Sequence, residues 1–382
     1  MNDPLPNPAL LPQGLHDLLP PEAETEAAAV AALMAVFHAH GYQRVKPPLM
    51  EFADGLLAGT GAAMAEQTFR VMDPDTHRML GVRADMTPQV ARIAATRLAG
   101  QARPLRLSYA GQCLRTQGGQ LTPDRQVAQA GIELIGSDSP VADAEMVLVG
   151  AEALAAVGLT GISFDLTLPQ LAPTLMDEAG VTGAARMALG KALDRKDAAA
   201  VAEHGGSLAP LLTRLLQVAG PARPALLLLD QVALPAAATA LCGRLRLTVE
   251  AIQAKAPGLR MTLDPIEFRG FRYHSGVCMT VFAPGRGEEL GRGGRYVSGD
   301  AEPATGLTLF PDAVLRACPR PPVRPRAFLP LGSLPDHGAA LRHQGYVTVP
   351  GLDESPAMAE AVRLGCTHIL WDGAAVPVIR ES

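Results

Sequence analysis

The chain has 382 residues, of which 48% are hydrophobic and 19% charged, so it is long enough to bury a large core and form two or three domains. Its net charge of -5, with only four lysines, gives no basic field and argues against a protein that binds a phosphate backbone. The N-terminus has no basic start before an apolar block, and the longest apolar stretch is interrupted. We therefore expect a cytoplasmic protein.

Elements of the first half follow from apolar spacing and from turn residues. A helix is predicted over residues 20–41, with Gly41 ending it in a left-handed turn. An extended stretch then ends at a Pro-Pro pair, and a second helix covers Thr87 to Leu98. Two strands, Leu105 to Arg115 and Gln126 to Ile135, are predicted to form a long antiparallel hairpin.

The second half is predicted to begin with a helix from Asp143 to Val157 and a mostly helical, Ala/Leu-rich insertion over residues 171–256. Further strands are predicted at Met261 to Ile266, Tyr273 to Phe282 and Gly306 to Leu309. A proline-rich linker, residues 317–327, precedes a small α/β unit. The five cysteines are far apart, which predicts reduced thiols and neither a disulfide frame nor a zinc site. We predict no metal and no other cofactor.

The run from Gln126 to Gly136 (QVAQAGIELIG) carries Gln129, Gly131 and Glu133 on one face of its strand, while the other face is apolar throughout. An amide, a gap and a carboxylate in a row are typical of the floor of a small-ligand site. A carboxylate inside a sheet needs a cationic partner, and a ligand ammonium group would serve. The alternatives are that Glu133 is exposed to solvent or paired with an arginine of the protein.

Three other segments contain unusual groupings of polar residues. RADMTPQ (83–89) places Asp85 and Thr87 before a helix, where the simpler interpretation is a helix cap. RGFRYHSG (269–276) contains two arginines, a tyrosine and a histidine between strands. GRGGRY (291–296) is similar to a phosphate-binding loop but lacks the P-loop lysine, and glycine-rich turns recur in many folds.

Taken in order, these segments resemble a class II aminoacyl-tRNA synthetase of the histidyl type, from about residue 10 to residue 318. HGYQRVKPPLME (40–51) resembles the first class motif, with Pro47 or Pro48 as its proline, and CLRTQ with DRQVAQAGIELIG resembles the second, with Arg115 as the motif arginine. The resemblance implies an α+β fold, an antiparallel sheet flanked by helices. It also implies a domain over residues 1–318 and a small α/β domain over 319–382.

In that family, the corresponding residues bind free histidine. The resemblance implies that Asp85, Thr87, Gln129 and Glu133 hold the amino group, that Arg269 lies near the carboxylate, and that Tyr273 is the first aromatic of a Tyr-Tyr pair. Two carboxylates for an ammonium and a guanidinium for a carboxylate agree with this assignment. The complete predicted histidine-binding set is Asp85, Thr87, Arg115, Gln129, Glu133, Arg269, Tyr273 and His274.

The sequence departs from the synthetases where they bind ATP. Gln117 replaces the glutamate of the second motif, and in the third motif Phe310 and Ala313 replace a glycine and the ATP-clamping arginine. These changes predict the loss of adenylate formation. RGFRYHSG (269–276) resembles the histidine segment of the family, in which Arg272 here replaces an acid and His274 replaces the second tyrosine.

A histidine pocket beside a damaged ATP site resembles the ATP phosphoribosyltransferase regulatory subunits. That resemblance implies a non-catalytic subunit that supports a short-form catalytic subunit and confers feedback inhibition by histidine in the first step of histidine biosynthesis. It also implies a dimer, with the first motif at its interface, inside a hetero-octamer.

The C-terminal unit resembles a shortened anticodon-binding domain without a basic, aromatic surface for RNA. We therefore expect a structural remnant packed on the dimer and no tRNA partner. The alternatives are a working histidyl-tRNA synthetase, which Gln117, Phe310 and Ala313 oppose, and an RNA-binding or structural descendant, which the intact pocket residues oppose.

Overall fold

The computed structural model describes residues 10–119, 123–267, 273–299, 301–319 and 323–378. They divide into two compact units, Met1–Pro319 and Arg320–Ser382. Two arginines of the histidine segment, Arg269 and Arg272, lie outside the described residues. In the part of the chain that the structure describes, no helix is both long enough and apolar enough to span a membrane.

The first helix is built as its sequence predicts. Glutamates occupy its first turn, where they favour the helix dipole, and Leu33, Met34 and Phe37 are buried on one face. Gly41 follows its end with a φ of 81°, the left-handed conformation that glycine adopts at little cost. The elements up to the second predicted helix are α1 (Glu22–Ala39), β1 (Gln43–Arg44), β2 (Met50–Phe52), α2 (Ala53–Leu56), a 3-10 helix (Gly59–Gln67), β3 (Arg70–Met72), β4 (Met79–Val82) and α3 (Thr87–Ala95).

The predicted hairpin forms in full, and the Ala/Leu-rich region is helical as predicted. The elements are β5 (Leu105–Leu114), β6 (Gln126–Ile135), α4 (Pro140–Ala156), β7 (Ser163–Thr167), α5 (Leu171–Glu178), α6 (Gly183–Asp194), α7 (Ala198–His204), a 3-10 turn (Gly206–Leu208), α8 (Ala209–Leu216), β8 (Gly220–Pro221), α9 (Ala222–Leu229) and α10 (Ala236–Lys255). The larger unit is completed by β9 (Arg260–Asp264), β10 (His274–Phe282), β11 (Glu289–Ser298), β12 (Glu302–Leu309) and α11 (Pro311–Ala317).

A nine-stranded sheet organises this unit, with the strand order β1-β5-β6-β12-β11-β10-β7-β9-β8. Its central pairs, from β5 to β7, are antiparallel, whereas β1 with β5 and β7 with β9 are parallel. The predicted alternation along β6 is confirmed, because Ala130, Ile132 and Leu134 belong to the main core together with residues of α1 and α4. The opposite face of the sheet packs against Val90 of α3 and against Met86, the residue before that helix.

A second, three-stranded sheet, ordered β2-β4-β3, was not anticipated from sequence, nor were β7, β11 and α11. The interpretation of GRGGRY as a loop is wrong, since residues 291–296 lie inside β11. Glycine lowers strand propensity in isolation, but here it is needed because neighbouring backbone comes close. A Cβ on Gly293 would lie 2.1 Å from the carbonyl oxygen of Gly306.

The smaller unit is a four-stranded sheet with the order β14-β13-β15-β16. Its elements are β13 (Arg326–Leu329), α12 (Pro335–His343), β14 (Val347–Pro350), α13 (Ala357–Arg363), β15 (His368–Trp371) and β16 (Ala374–Pro377). The first three strands in this order are parallel, and β16 is an antiparallel strand that the sequence did not reveal. One face packs around Leu341 and the other around Phe328 and Ala361.

Candidate ligand-binding site

A cavity of ≈ 710 Å³ opens on the face of the large sheet that carries Gln129 and Glu133. All of the predicted ligand-binding residues that the structure describes line it, namely Asp85, Thr87, Arg115, Gln129, Glu133, Tyr273 and His274. They come from the start of α3 and the residues before it, from β6 and the residue after β5, and from the start of β10 and the residue before it. The fold thus brings together residues that are up to half the chain apart in sequence.

Glu133 lies at the floor of the cavity and is only 1% exposed. Its Oε1 accepts a hydrogen bond from Thr87 Oγ1 at 2.8 Å and lies 3.2 Å from the Tyr109 hydroxyl, and its Oε2 accepts from the Tyr296 hydroxyl at 2.9 Å. The carboxylate leans over Gly306, the residue beside it on β12, where a Cβ would lie 1.9 Å from Oε2. Glycine at that position is therefore a requirement of the site.

None of the described arginines and lysines forms an ion pair with Glu133. Burial raises the pKa of Glu133 from 4.5 to about 7, the hydroxyl hydrogen bonds oppose this rise, and the negative charge of Asp85 adds to it. The exposed alternative for Glu133 is wrong. What the geometry offers is a buried acceptor for a positively charged or N–H group of a ligand.

The segment before α3 forms one wall of the cavity. Asp85 Oδ1 accepts from the Thr87 backbone N–H at 3.2 Å, as a capping residue does, while the Thr87 side chain points to Glu133. The backbone N–H of Met86 donates to Gln129 Oε1 at 3.0 Å, and the Cys113 thiol donates to the same oxygen at 3.3 Å. Hydrogen bonds therefore fix all four predicted amino-group residues relative to one another.

The gap at Gly131 has a different use from the one predicted. Tyr109 on β5 lies directly opposite Gly131, and its ring occupies the space above the glycine, where a Cβ would approach within 2.5 Å of the ring. Its hydroxyl reaches across β6 to Thr308 Oγ1 on β12 at 2.7 Å. Gly131 accommodates a side chain of the protein rather than a ligand, and Tyr109 becomes part of the floor.

Aromatic rings form the opposite wall. Tyr273 stacks on His274 with ring centroids 4.3 Å apart, and it meets Tyr296 edge-on at 6.1 Å. Burial lowers the pKa of His274 to about 3, with a smaller contribution from the charge of Arg292, so its imidazole is neutral at physiological pH. This wall offers ring faces and a neutral imidazole to a flat ligand group.

The outer end of the cavity is acidic, and two arginines that line it, Arg292 and Arg316, already form ion pairs with glutamates. Arg316 pairs with Glu288 through Nη2 at 2.5 Å, and Arg292 pairs with Glu289. Beside the Glu288 hydrogen bond, the charges of Asp312 and Asp124 also act on Arg316 and help to raise its pKa, and Glu66 is a further carboxylate that lines the cavity. Ala313, at the position of the arginine that clamps ATP in the synthetases, lies in α11 and is buried against the core. Arg115 is the cationic lining residue that has no carboxylate partner among the described residues.

Sequence reasoning missed four residues of the site, which are Tyr109, Tyr296, Gly306 and Thr308. Tyr296 is the last residue of GRGGRY, but the prediction of a loop there does not specify which way its side chain points. Its neighbour Arg295 points to the other face of β11, where it pairs with Asp143 on α4 at 2.9 Å. The alternation of a strand separates these two roles.

The sheet, its flanking helices and this cavity define a protein of the histidyl-tRNA synthetase class. The sequence profile of the family described as Histidyl-tRNA synthetase matches residues 14–314. A crystal structure from Bacillus halodurans, described as an ATP phosphoribosyltransferase regulatory subunit/histidyl-tRNA synthetase, is similar with a TM-score of 0.78. The similarity covers 95% of this chain and 97% of that one at 21% identity, which establishes the fold.

Sequence relatives define the family more narrowly. The chain is 54% identical to the ATP phosphoribosyltransferase regulatory subunit of Paramagnetospirillum magneticum, over 97% of this chain and 98% of that protein. It is 53% identical to the protein of the same name from Rhodospirillum centenum, over 100% of this chain and 99% of that protein. The chain belongs to the family of ATP phosphoribosyltransferase regulatory subunits.

Proposed function

We propose that this protein is a regulatory subunit without catalytic activity that binds free histidine in the cavity on the large sheet. It supports the activity of a short-form ATP phosphoribosyltransferase catalytic subunit and makes that activity sensitive to histidine, in the first step of histidine biosynthesis. The observation that carries the proposal is the buried Glu133 carboxylate, which has no cationic partner among the described residues. Such a group favours a ligand that brings positive charge.

The cavity has the complementary groups that an amino acid with a flat ring requires. Asp85 and Glu133 are acceptors for the ammonium. The Thr87 hydroxyl and the Gln129 amide lie beside them and are further polar groups for it. Arg115 lines the cavity and is available for the carboxylate. The family resemblance assigns the same role to Arg269, which lies outside the described residues. The rings of Tyr273 and His274 face the imidazole.

The residues at the outer end of the cavity argue against adenylate formation. A nucleotide triphosphate needs cationic side chains and close backbone approach. Here the carboxylates of Glu288 and Glu289 neutralise Arg316 and Arg292, and Phe310 packs against the core where the synthetases place glycine. Further carboxylates at this end would repel the phosphates.

The partners follow from membership of the family. We propose a dimer built on the class II fold, assembled with the catalytic subunit in a hetero-octamer, without tRNA. All five cysteines are free thiols, a state that a reducing cytoplasm maintains, and we place the assembly there.

The test is phosphoribosyl-ATP formation by a short-form catalytic subunit, measured alone, with this protein, and with added histidine. We expect stimulation by this protein and reversal of that stimulation by histidine. We also expect no histidine-dependent exchange of pyrophosphate into ATP. Pyrophosphate exchange without stimulation of the catalytic subunit would instead support the alternative function, a working histidyl-tRNA synthetase.

Histidine affinity should depend on pH through Glu133. The ligand ammonium favours the carboxylate form, whereas the free site has a Glu133 pKa of about 7. Below pH 7 the proton must leave before the ligand binds, so the dissociation constant should rise as pH falls, by about tenfold per unit from this group. Asp85 and the hydroxyls of Thr87, Tyr109 and Tyr296 are the other polar groups that act on Glu133.

Calorimetry at pH 7 in two buffers of different ionisation enthalpy measures this linkage directly. The wild type should release a fraction of a proton on binding histidine. In Glu133→Gln that contribution should disappear, while the titration of the ligand's own imidazole remains. Equal proton release by the two proteins would exclude Glu133 as the titrating group.

A further inference from the structure

The segment from Arg83 to Arg92, which carries Asp85 and Thr87, is attached to the rest of the protein on two sides. Its inner side meets the floor of the cavity through Gln129 and Glu133. Its outer side is bonded to the stretch around β2, which is outside the cavity. The outer attachment therefore helps to set the position from which Asp85 and Thr87 face a ligand in the cavity.

The outer attachment begins before the ligand-binding residues. The backbone N–H of Arg83 donates to the Leu49 carbonyl at 3.1 Å, and its guanidinium donates to the carbonyls of Pro47 at 3.2 Å and Gln112 at 2.8 Å. A Cβ on Gly111 would lie 2.5 Å from the Arg83 guanidinium, so that glycine makes room for it. Arg83 thus bonds the start of the segment to Pro47 and Leu49 of the first-motif stretch.

Beyond the ligand-binding residues, a single carboxylate holds the segment. Glu51 on β2 accepts hydrogen bonds from Gln89 Nε2 at 2.9 Å, Arg92 Nε at 2.8 Å and Arg92 Nη2 at 2.5 Å. Gln89 Nε2 also donates to the Pro48 carbonyl at 2.8 Å. The Glu51 side chain is 11% exposed and does not line the cavity, so it has no direct contact to offer a ligand there. Paired charges at this burial hold a defined geometry better than exposed pairs do.

We infer that Glu51 is a positioning residue that couples ligand binding at Asp85 and Thr87 to the stretch 47–52, through Gln89 and Arg92. The inference rests on the proposed function, because it assigns a route by which histidine in the cavity acts on a part of the protein that histidine does not touch. On the other side of this stretch, β2 joins the three-stranded sheet, where Leu49 and Phe52 are exposed. Occupancy of the cavity is thereby linked to the position of an outer surface.

The experiment is a double-mutant cycle on the full chain, with histidine as the ligand and calorimetry as the readout. Glu51→Gln should weaken histidine binding about tenfold, and Asp85→Asn should weaken it by at least that factor. If Glu51 acts through the segment, its substitution should change affinity less than twofold once Asp85 is replaced. The matched control is Glu145→Gln, which breaks a comparable pair with Arg106 on another part of the unit and should leave affinity unchanged.

Amide hydrogen exchange provides the readout that a merely structural role would not reproduce. Histidine should slow exchange of the amides of residues 49–52 as well as those of 84–91 in the wild type, and only those of 84–91 in Glu51→Gln. Additive effects in the cycle, or equal protection of residues 49–52 in both proteins, would overturn the inference. A wild type that binds no histidine would overturn the proposed function, and positioning by Glu51 would then be judged from exchange of the ligand-free proteins, where Glu51→Gln should speed exchange in 84–91 but not in β6.

Discussion

Replacing Glu133 by glutamine is expected to weaken histidine binding at least a hundredfold. The change keeps the size of the side chain but removes the negative charge from a buried position that the ligand ammonium would face. Truncating one partner of a buried, hydrogen-bonded charge pair typically costs about 3 kcal/mol, which is somewhat more than a factor of 100 in affinity. Glu133→Ala should lose binding as well, and it also leaves the hydroxyls of Thr87 and Tyr296 without their acceptor.

Loss of binding by Glu133→Gln should not come from unfolding. In the native state the pKa of Glu133 is raised to about 7 from 4.5, so the folded protein binds this proton more tightly than the unfolded chain does. The stabilisation is fully present below pH 4.5 and is lost as the pH rises through 7, a difference of about 3 kcal/mol. At pH 8 the ligand-free variant should therefore be at least as stable as the wild type.

The measurements are calorimetric titration with histidine and urea unfolding at pH 5 and pH 8. Glu145→Gln is the control, because it changes a partly buried glutamate of the same unit that lies outside the cavity. An affinity within threefold of the wild type would show that Glu133 does not hold the ligand. A large loss of stability at pH 8 would show that the carboxylate is structural.

The second large effect is expected on stability, from the buried pair between Arg295 and Asp143. Arg295 is 4% exposed and Asp143 is fully buried, and the guanidinium also donates to the carbonyls of Ser137 at 2.9 Å and Ser139 at 3.1 Å. It thus ties β11 to the start of α4. Arg295→Met should lower the free energy of unfolding by about 3 to 5 kcal/mol, because it leaves an unpaired buried carboxylate and removes the guanidinium donor from the Ser137 carbonyl.

Replacing both members of the pair separates the cost of the lone charge from the value of the pair itself. Arg295→Met with Asp143→Leu should regain much of the stability that Arg295→Met loses, since no buried charge remains. Arg186→Met, at the exposed pair with Asp177, is the control and should cost less than about 1 kcal/mol. Urea denaturation of the four proteins measures these differences, and a loss below 1 kcal/mol for Arg295→Met would contradict the structural role assigned to it.

Part of the fold and of the site could be predicted because the sequence patterns that specify it are local. Alternation along residues 126–136 correctly predicted which face of β6 enters the core and which carries Gln129 and Glu133. Helix α1, the hairpin and the helical insertion follow from apolar spacing and turn residues within each segment. The ordered match of several motifs predicted that Asp85, Thr87, Arg115, Tyr273 and His274 lie together, and all five line one cavity. Their role in binding histidine stays a prediction.

The strand periodicity, the chemistry of the cavity residues and the changes at Phe310 and Ala313 can all be recognised from the order of the amino acids. The surroundings of Glu133 cannot, because they depend on the register between strands far apart in the chain. The register across β5, β6 and β12 aligns Tyr109, Gly131 and Thr308, and it sets Gly306 beside Glu133. Likewise, Glu51 and Arg92 show no pattern in the sequence, and their pairing exists only because β2 and α3 pack together. Local propensity specifies each element, whereas burial and contact between distant elements set the electrostatics of the site.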